Sequence, residues 1–178
     1  MKNIVGLKRG VVKLKKHNSN WKELFDKERK RLFKEFPNVI IEISHGGSTA
    51  IPNISAKPII DMFVAVESLK NVELIKEKLE KLGYQFYGQD EVSERVLYTK
   101  GKADMRTHHL HFVKNKSNEW KNHILLKEYY LQHPEIAKKY SELKVKLAKK
   151  YPSDRKAYTH GKDKFIKSVI KKAKVKNK

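Results

Sequence analysis

The sequence contains no cysteine. That absence excludes a disulfide scaffold, thiolate zinc sites, iron–sulfur clusters and a cysteine nucleophile. Long apolar runs are lacking as well. Val39–Ile41 and Met62–Ala65, with their neighbours, fall far short of the ~20 residues a membrane span needs. A secretory apolar segment near Met1 is missing, because Lys8, Arg9, Lys13, Lys15 and Lys16 interrupt every apolar stretch. Internal repeats and Gly/Ser-rich linkers are absent too. The expectation is a soluble, cytoplasmic chain with a single domain over residues 1–178 and a basic, frayed tail from about residue 174. With 39% apolar residues a core is affordable, since a chain of 178 residues buries roughly 70% of its unfolded surface.

Acidic residues are scarce, 20 Asp and Glu against 41 Lys and Arg, for a net charge of +21. The excess is concentrated at the ends. Residues 1–36 hold twelve Lys/Arg and four acids, and residues 161–178 hold eight Lys and one Asp. A field of this sign attracts phosphate of any kind without naming a partner. Nucleic acid is therefore expected only as an unspecific partner of the basic termini, since no RNP-type or KH-type signature is present.

Periodicity sets the architecture. Trp21, Leu24, Phe25, Leu32 and Phe36 recur at helical spacing after the capping residues Asn18 and Ser19, and Pro37 ends the pattern. Val39–Ile43 and Ile59–Val66 read as strands. Val72, Ile75, Leu79 and Leu82 trace a second helix closed by Gly83. Short strands are expected at Tyr84–Tyr87, Arg95–Thr99 and Thr107–Val113. From Ser117 onward the pattern is helical. Ile136, Tyr140, Leu143 and Leu147 form one stripe, Phe165, Ile166, Val169 and Ile170 another, and Pro134 and Pro152 divide the region into three helices. The fold class is α+β: a small mixed sheet flanked by helices, with a helical C-terminal third.

Chemistry-bearing residues are densest between His45 and Asp61. A strand runs into Gly46-Gly47-Ser48-Thr49, where missing side chains let backbone N–H groups approach an anion. Ser48 and Thr49 add hydroxyls and Lys57 a cation. Asp61 then stands in a strand otherwise made of Ile, Met, Phe and Val, where a carboxylate is costly unless it meets a metal, a cation or a cleft. The bland alternative is a Gly-Gly turn with Asp61 paired to Lys57 or Arg106. Neither G-x-x-x-x-G-K-[ST] nor G-x-G-x-x-G occurs, so the ATPase and dinucleotide-binding loops are excluded.

A second constellation is Arg106-Thr107-His108-His109-Leu110-His111-Phe112. On a strand His109 and His111 share a face with Thr107, while His108 faces away with Arg106, Leu110 and Phe112. Two imidazoles so placed chelate a metal, or bind phosphate and move protons near neutral pH. With Asp61 they make a His₂–carboxylate set suited to Zn²⁺, Mn²⁺ or Fe²⁺. The competing reading is a pair of half-buried histidines bonded to backbone. In the C-terminal third, Lys144, Tyr158 and Lys162 are candidates, and Tyr158 and Lys162 lie four apart on one helix face.

The run His45-Gly46-Gly47-Ser48-Thr49-Ala50-Ile51-Pro52, continued by Ala56-Lys57-Pro58-Ile59-Ile60-Asp61, resembles the GrpB family, which is also found fused to dephospho-coenzyme A kinases. Leu82-Gly83-Tyr84, His109-Leu110-His111-Phe112, Tyr140-Ser141-Glu142-Leu143-Lys144 and Ala157-Tyr158-Thr159 extend the resemblance across roughly residues 11–173. It implies a nucleotidyltransferase-like sheet and a phosphate-recognising cleft. Gly47, Ser48, Thr49 and Lys57 would hold the phosphates, Tyr158 and Lys162 would cover one side, Asp61 would hold Mg²⁺ or Mn²⁺, and His109 and His111 would act as proton-transfer groups or ligands. Nucleotidyltransferases generally carry Asp-x-[Asp/Glu] on that strand, and here the second position is Phe63. Two classes therefore stay open: a metal-dependent nucleotidyltransferase with an incomplete acidic motif, and a non-catalytic protein binding a nucleotide, a coenzyme A-related ligand or another phosphorylated small molecule.

Overall fold

The computed structural model describes residues 4–90, 94–102 and 104–176. Helix α1 (Asn20–Glu35) starts where Asn18 Oδ1 accepts from the Asn20 N–H at 2.9 Å. It buries Trp21, Phe25, Glu28 and Leu32 along one stripe, and the chain turns at Phe36 before Pro37. Five strands then form the main sheet: β2 (Ile40–Gly46), β3 (Ile60–Val66), β4 (Tyr84–Asp90), β5 (Arg95–Lys100) and β7 (His108–Lys114). Their order is β2-β3-β7-β5-β4, with β3 and β7 parallel and the other pairs antiparallel. A separate two-residue pair joins β1 (Leu7–Lys8) to β6 (Met105–Arg106). The sheet is mixed and small, as the alternating patterns require.

The helix expected over Val72–Leu82 is two short ones, α2 (Lys70–Glu73) and α3 (Lys76–Lys81). The stripe itself survives, with Val72, Ile75 and Leu79 buried, while Leu74 at the break is exposed. Apolar spacing reports which face is covered, not whether the backbone runs on unbroken. The C-terminal third forms α4 (Asn118–Gln132), α5 (Pro134–Lys150) and α6 (Arg155–Lys176). Ser117 caps α4 by accepting from the Trp120 N–H at 3.3 Å, and Pro134 opens α5 where its missing N–H costs nothing.

The two faces of the sheet serve different ends. One carries Ile60, Met62, Val64, Leu110 and Phe112, all fully buried against Trp21, Leu32, Val72 and Leu79. Each such side chain contributes about 1.5–3 kcal/mol of transfer free energy, so this face holds the main core. The other face shows two cross-strand rows. Gly46, Asp61, His109 and Thr99 are successive partners in the first, and Ser44, Phe63, His111 and Leu97 in the second. Helices of the C-terminal third cover this side, with Trp120 on Ala65 and Val113, and Tyr130, Ala137, Tyr140 and Val169 around Ile51 and Ile54.

Helix α6 continues to Lys176, past the point where fraying was expected. Val169 and Ala173 are buried, but Val175 is 70% exposed. Deleting Val175–Lys178 should therefore shift Tm by no more than about 2 °C, the scale of a surface change in a domain of this size. Differential scanning calorimetry checks it, and a larger fall would mean that the tail packs.

Candidate functional site

The turn after β2 sets the geometry. Gly47 has φ +61° and ψ −169°, a conformation open essentially to glycine alone. A Cβ there would stand 2.2 Å from Asp61 Oδ2, so the bare backbone is also what lets the Asp61 carboxylate close over the turn. Ser48–Ala50 follow as one turn of 3₁₀ helix, which puts successive side chains on different sides. Ser48 faces the cleft. Thr49 points inward, 3% exposed: its hydroxyl lies 3.0 Å from His45 Nε2 and donates to the Ile59 carbonyl at 3.5 Å.

Asp61 and His109 are direct partners across the parallel β3–β7 pair, and His111 is two residues further on the same face. His109 Nδ1 lies 2.9 Å and His111 Nε2 3.3 Å from the same oxygen, Asp61 Oδ1. The Asp61 side chain is 27% exposed, toward the cleft. Its desolvation would raise the carboxyl pKa, but the hydrogen bonds and charges of His109 and His111 outweigh that and hold it well below the usual carboxylate range. Burial pulls His111 below the ordinary imidazole value, against the opposing pull of Asp61. The other ring nitrogens, His109 Nε2 and His111 Nδ1, are buried without a hydrogen-bond partner.

The three donor atoms lie within 4.8 Å of one another. One carboxylate oxygen and two imidazole nitrogens at this spacing fit a first-row divalent ion, and the nitrogen content favours Mn²⁺, Fe²⁺ or Zn²⁺ over the harder Mg²⁺. Phe63 supplies no second carboxylate. Its ring is stacked between His111, 4.7 Å away, and His123, 3.8 Å away, both measured between centroids. His123 is held at about 3, chiefly by burial, so it is a neutral ring in that stack.

Opposite this centre stands a wall of cations. A cleft of about 210 Å³ is lined by Gly47, Ser48, Lys57, Asp61, His109 and His111 on the sheet side. Across it stand Tyr140, Arg155, Tyr158, Thr159 and Lys162 from α5 and α6. Lys57 Nζ lies 5.4 Å and Lys162 Nζ 4.6 Å from the centre of the Tyr158 ring. Burial first, then the charges of Lys162 and Arg155, lower Lys57 to about 8. The structure thus brings together every site residue expected from sequence except Thr49 and Lys144. Lys144 sits behind the wall, 1% exposed, its ammonium donating to the Ser55 carbonyl. Burial, with Lys162 and Lys57 nearby, lowers it to about 7.

Arg155 and Thr159 were not expected from sequence. The signal was present: Arg155, Tyr158, Thr159 and Lys162 occupy i, i+3, i+4 and i+7, one continuous helix face. Tyr140 was expected only as a stripe residue, yet it also lines the cleft and a smaller hollow of about 70 Å³ beside it, with Ile51, Leu126 and Tyr130.

Comparison with known proteins gives a consistent family. A family profile described as GrpB protein matches residues 11–172. UPF0157 protein YqkA of Bacillus subtilis is 40% identical over 158 residues, 89% of this chain and 46% of YqkA. The chain thus spans less than half the length of that relative. Glutamate-rich protein GrpB of Alkalihalophilus pseudofirmus is 38% identical over 172 residues, 94% of this chain and 98% of the relative. Among solved structures, that of the conserved protein GrpB from Enterococcus faecalis superposes with TM-score 0.85 at 34% identity, covering 93% of this chain and 99% of the other. A distant likeness, TM-score 0.47 at 18% identity over 82% of this chain, is to the Cid1 poly(U) polymerase.

Proposed function

The chain belongs to the GrpB family, and from that premise we propose that its cleft binds a nucleotide or another phosphorylated small molecule together with a divalent cation. The observation that carries this reading is a charge imbalance in a sheltered place. Lys57, Arg155 and Lys162 line one cleft with a single carboxylate, Asp61. A polyanion is the ligand class that restores the balance, and the Gly47–Ser48 turn offers backbone N–H groups and a hydroxyl to it. Asp61, His109 and His111 would hold the ion. When bound, such an ion supplies positive charge that orients and neutralises phosphate oxygens.

On a nucleotidyltransferase-like fold the same arrangement would serve a metal-dependent nucleotidyl transfer, with His109 and His111 as ligands or proton-transfer groups. Phe63 favours the second reading, in which a nucleotide or coenzyme A-related ligand is held without turnover. Its ring fills the place of the second acid and is held on both sides by imidazoles. Thermal-shift measurements across nucleotides and coenzyme A precursors, each with Mn²⁺, with Mg²⁺ and with EDTA, test the proposal. A ligand raising Tm in the presence of Mn²⁺ supports it. No response from any phosphorylated compound would end it.

Ser48→Ala combined with Lys57→Ala should weaken that binding by about 1.5–3 kcal/mol, roughly ten- to a hundredfold. The pH dependence has a definite sign. Lys57 is held at about 8 in the free protein, so an arriving polyanion stabilises its protonated form and draws a proton onto it. Affinity should therefore fall as pH rises through 8, and Lys57→Ala should flatten that fall. Calorimetry at several pH values reads both effects.

A further inference from the structure

Outside the cleft, three arginines gather on one exposed tyrosine. The guanidinium carbons of Arg106, Arg9 and Arg155 lie 4.5, 5.7 and 6.0 Å from the centre of the Tyr87 ring. Tyr87 is 42% exposed. Arg9 follows β1, Arg106 closes β6, Tyr87 is on β4 and Arg155 opens α6, so four separate elements converge here. Among the described residues none of the three guanidiniums is in an ion pair. Arg106 Nη1 is shielded from solvent and has no hydrogen-bond partner.

Beside the cluster opens a polar hollow of about 230 Å³ lined by Arg9, Arg106, Gln85, Thr99, Lys100 and Asp104. Two of its charges are already engaged. Lys100 binds Glu28 at 2.7 Å, and Asp104 faces Lys8 at 3.4 Å. Arg9 and Arg106 are left with open donors. Like charges drawn together around one ring repel, and a cation–π contact at an exposed ring offsets that only by about 0.5–1 kcal/mol each. An anion resolves the repulsion. A carboxylate would occupy one guanidinium fork and leave the others bare, whereas a phosphate presents oxygens to several forks at once.

We propose that Arg9, Arg106 and Arg155 around Tyr87 form a second phosphate-binding site, contiguous with the cleft because Arg155 belongs to both. The cleft takes the metal-associated polyphosphate. The arginine site takes the phosphate group of a second ligand, a phosphomonoester or a phosphodiester, and brings it alongside the first. It needs no metal, which separates its test from that of the cleft.

The test uses the full chain in EDTA, with inorganic phosphate as the probe and the arginine Nε–Hε signals followed by NMR. Phosphate should shift the Arg9 and Arg106 signals saturably. Arg106→Gln should weaken that affinity at least tenfold, as should Arg9→Gln, which alters no strand residue and so guards against a folding defect at β6. Lys57→Ala should leave it unchanged. A linear drift without saturation overturns the proposal, and so does loss of the effect in Lys57→Ala, because the arginines would then only sense the cleft. A 5′-phosphorylated tetranucleotide and its 5′-hydroxyl counterpart identify the source. Tenfold preference for the former assigns a monoester, equal affinity assigns the backbone diester, and binding of neither in competition with phosphate overturns the site.

Discussion

Asp61→Asn should yield a folded protein that no longer responds to Mn²⁺. The oxygen in question is shared by His109 Nδ1 and His111 Nε2, and it is the one anionic donor of the set. Asparagine keeps the shape and one acceptor but loses the charge that a divalent ion requires. Changing a residue that only orients a metal ligand typically costs 10–100-fold in affinity, so removing the anionic ligand itself should exceed about a hundredfold. Stability without metal should fall by about 1–3 kcal/mol, from two weakened charge-assisted hydrogen bonds. Metal titration by calorimetry, with Tm in EDTA, reads the two effects separately. An unchanged Mn²⁺ response beside a sharply lower Tm would make Asp61 a structural ion-pair residue and remove the metal centre.

Gly47→Ala should damage stability and the Mn²⁺ response together. Two independent penalties coincide: a backbone with φ +61°, and a Cβ meeting Asp61 Oδ2 at 2.2 Å. The backbone alone costs of order 1–3 kcal/mol. The clash can be relieved only by moving the carboxylate, which would pull it from His109 and His111. The expected result is a Tm several degrees lower together with a lost Mn²⁺ response. Gly88→Ala is the control, since a Cβ there meets nothing within 4 Å, and it should change stability by no more than about 0.5 kcal/mol. If both alanines behave alike, the turn does not govern the site.

Asp61, His109 and His111 were legible in sequence because each breaks a local rule. A lone carboxylate interrupts an apolar strand, and two histidines repeat at period two. Their mutual register was not legible, since pairing Asp61 with His109 depends on β7 lying next to β3, a choice made by the whole sheet. Thr49 was misplaced for a different reason. Composition marks a loop as polar but cannot tell which hydroxyl of a 3₁₀ turn looks outward. In α5 the stripe Ile136, Tyr140, Leu143, Leu147 is rotated slightly in fact, so that Ala137, Tyr140 and Lys144 are the buried residues. A lysine is not expected in a core, and it enters this one because the Ser55 carbonyl receives its ammonium. On the cleft-lining face of α6, Tyr158 and Lys162 were legible, while Arg155 and Thr159 stayed hidden because they resemble the solvated polar residues around them.

Strand β7 is engaged on both edges, by β3 in parallel and by β5 in antiparallel fashion. That placement has a kinetic consequence. Asp61 and His109 are separated by 48 residues, and they meet only when the central strand has closed the sheet. Loop closure over such distances is slow and comes before its contacts can repay it. The donor set is therefore scattered in the unfolded chain and cannot template its own assembly. Any ion or anion that binds the finished cleft would act on the native state alone, slowing its unfolding while leaving the rate of folding to the topology.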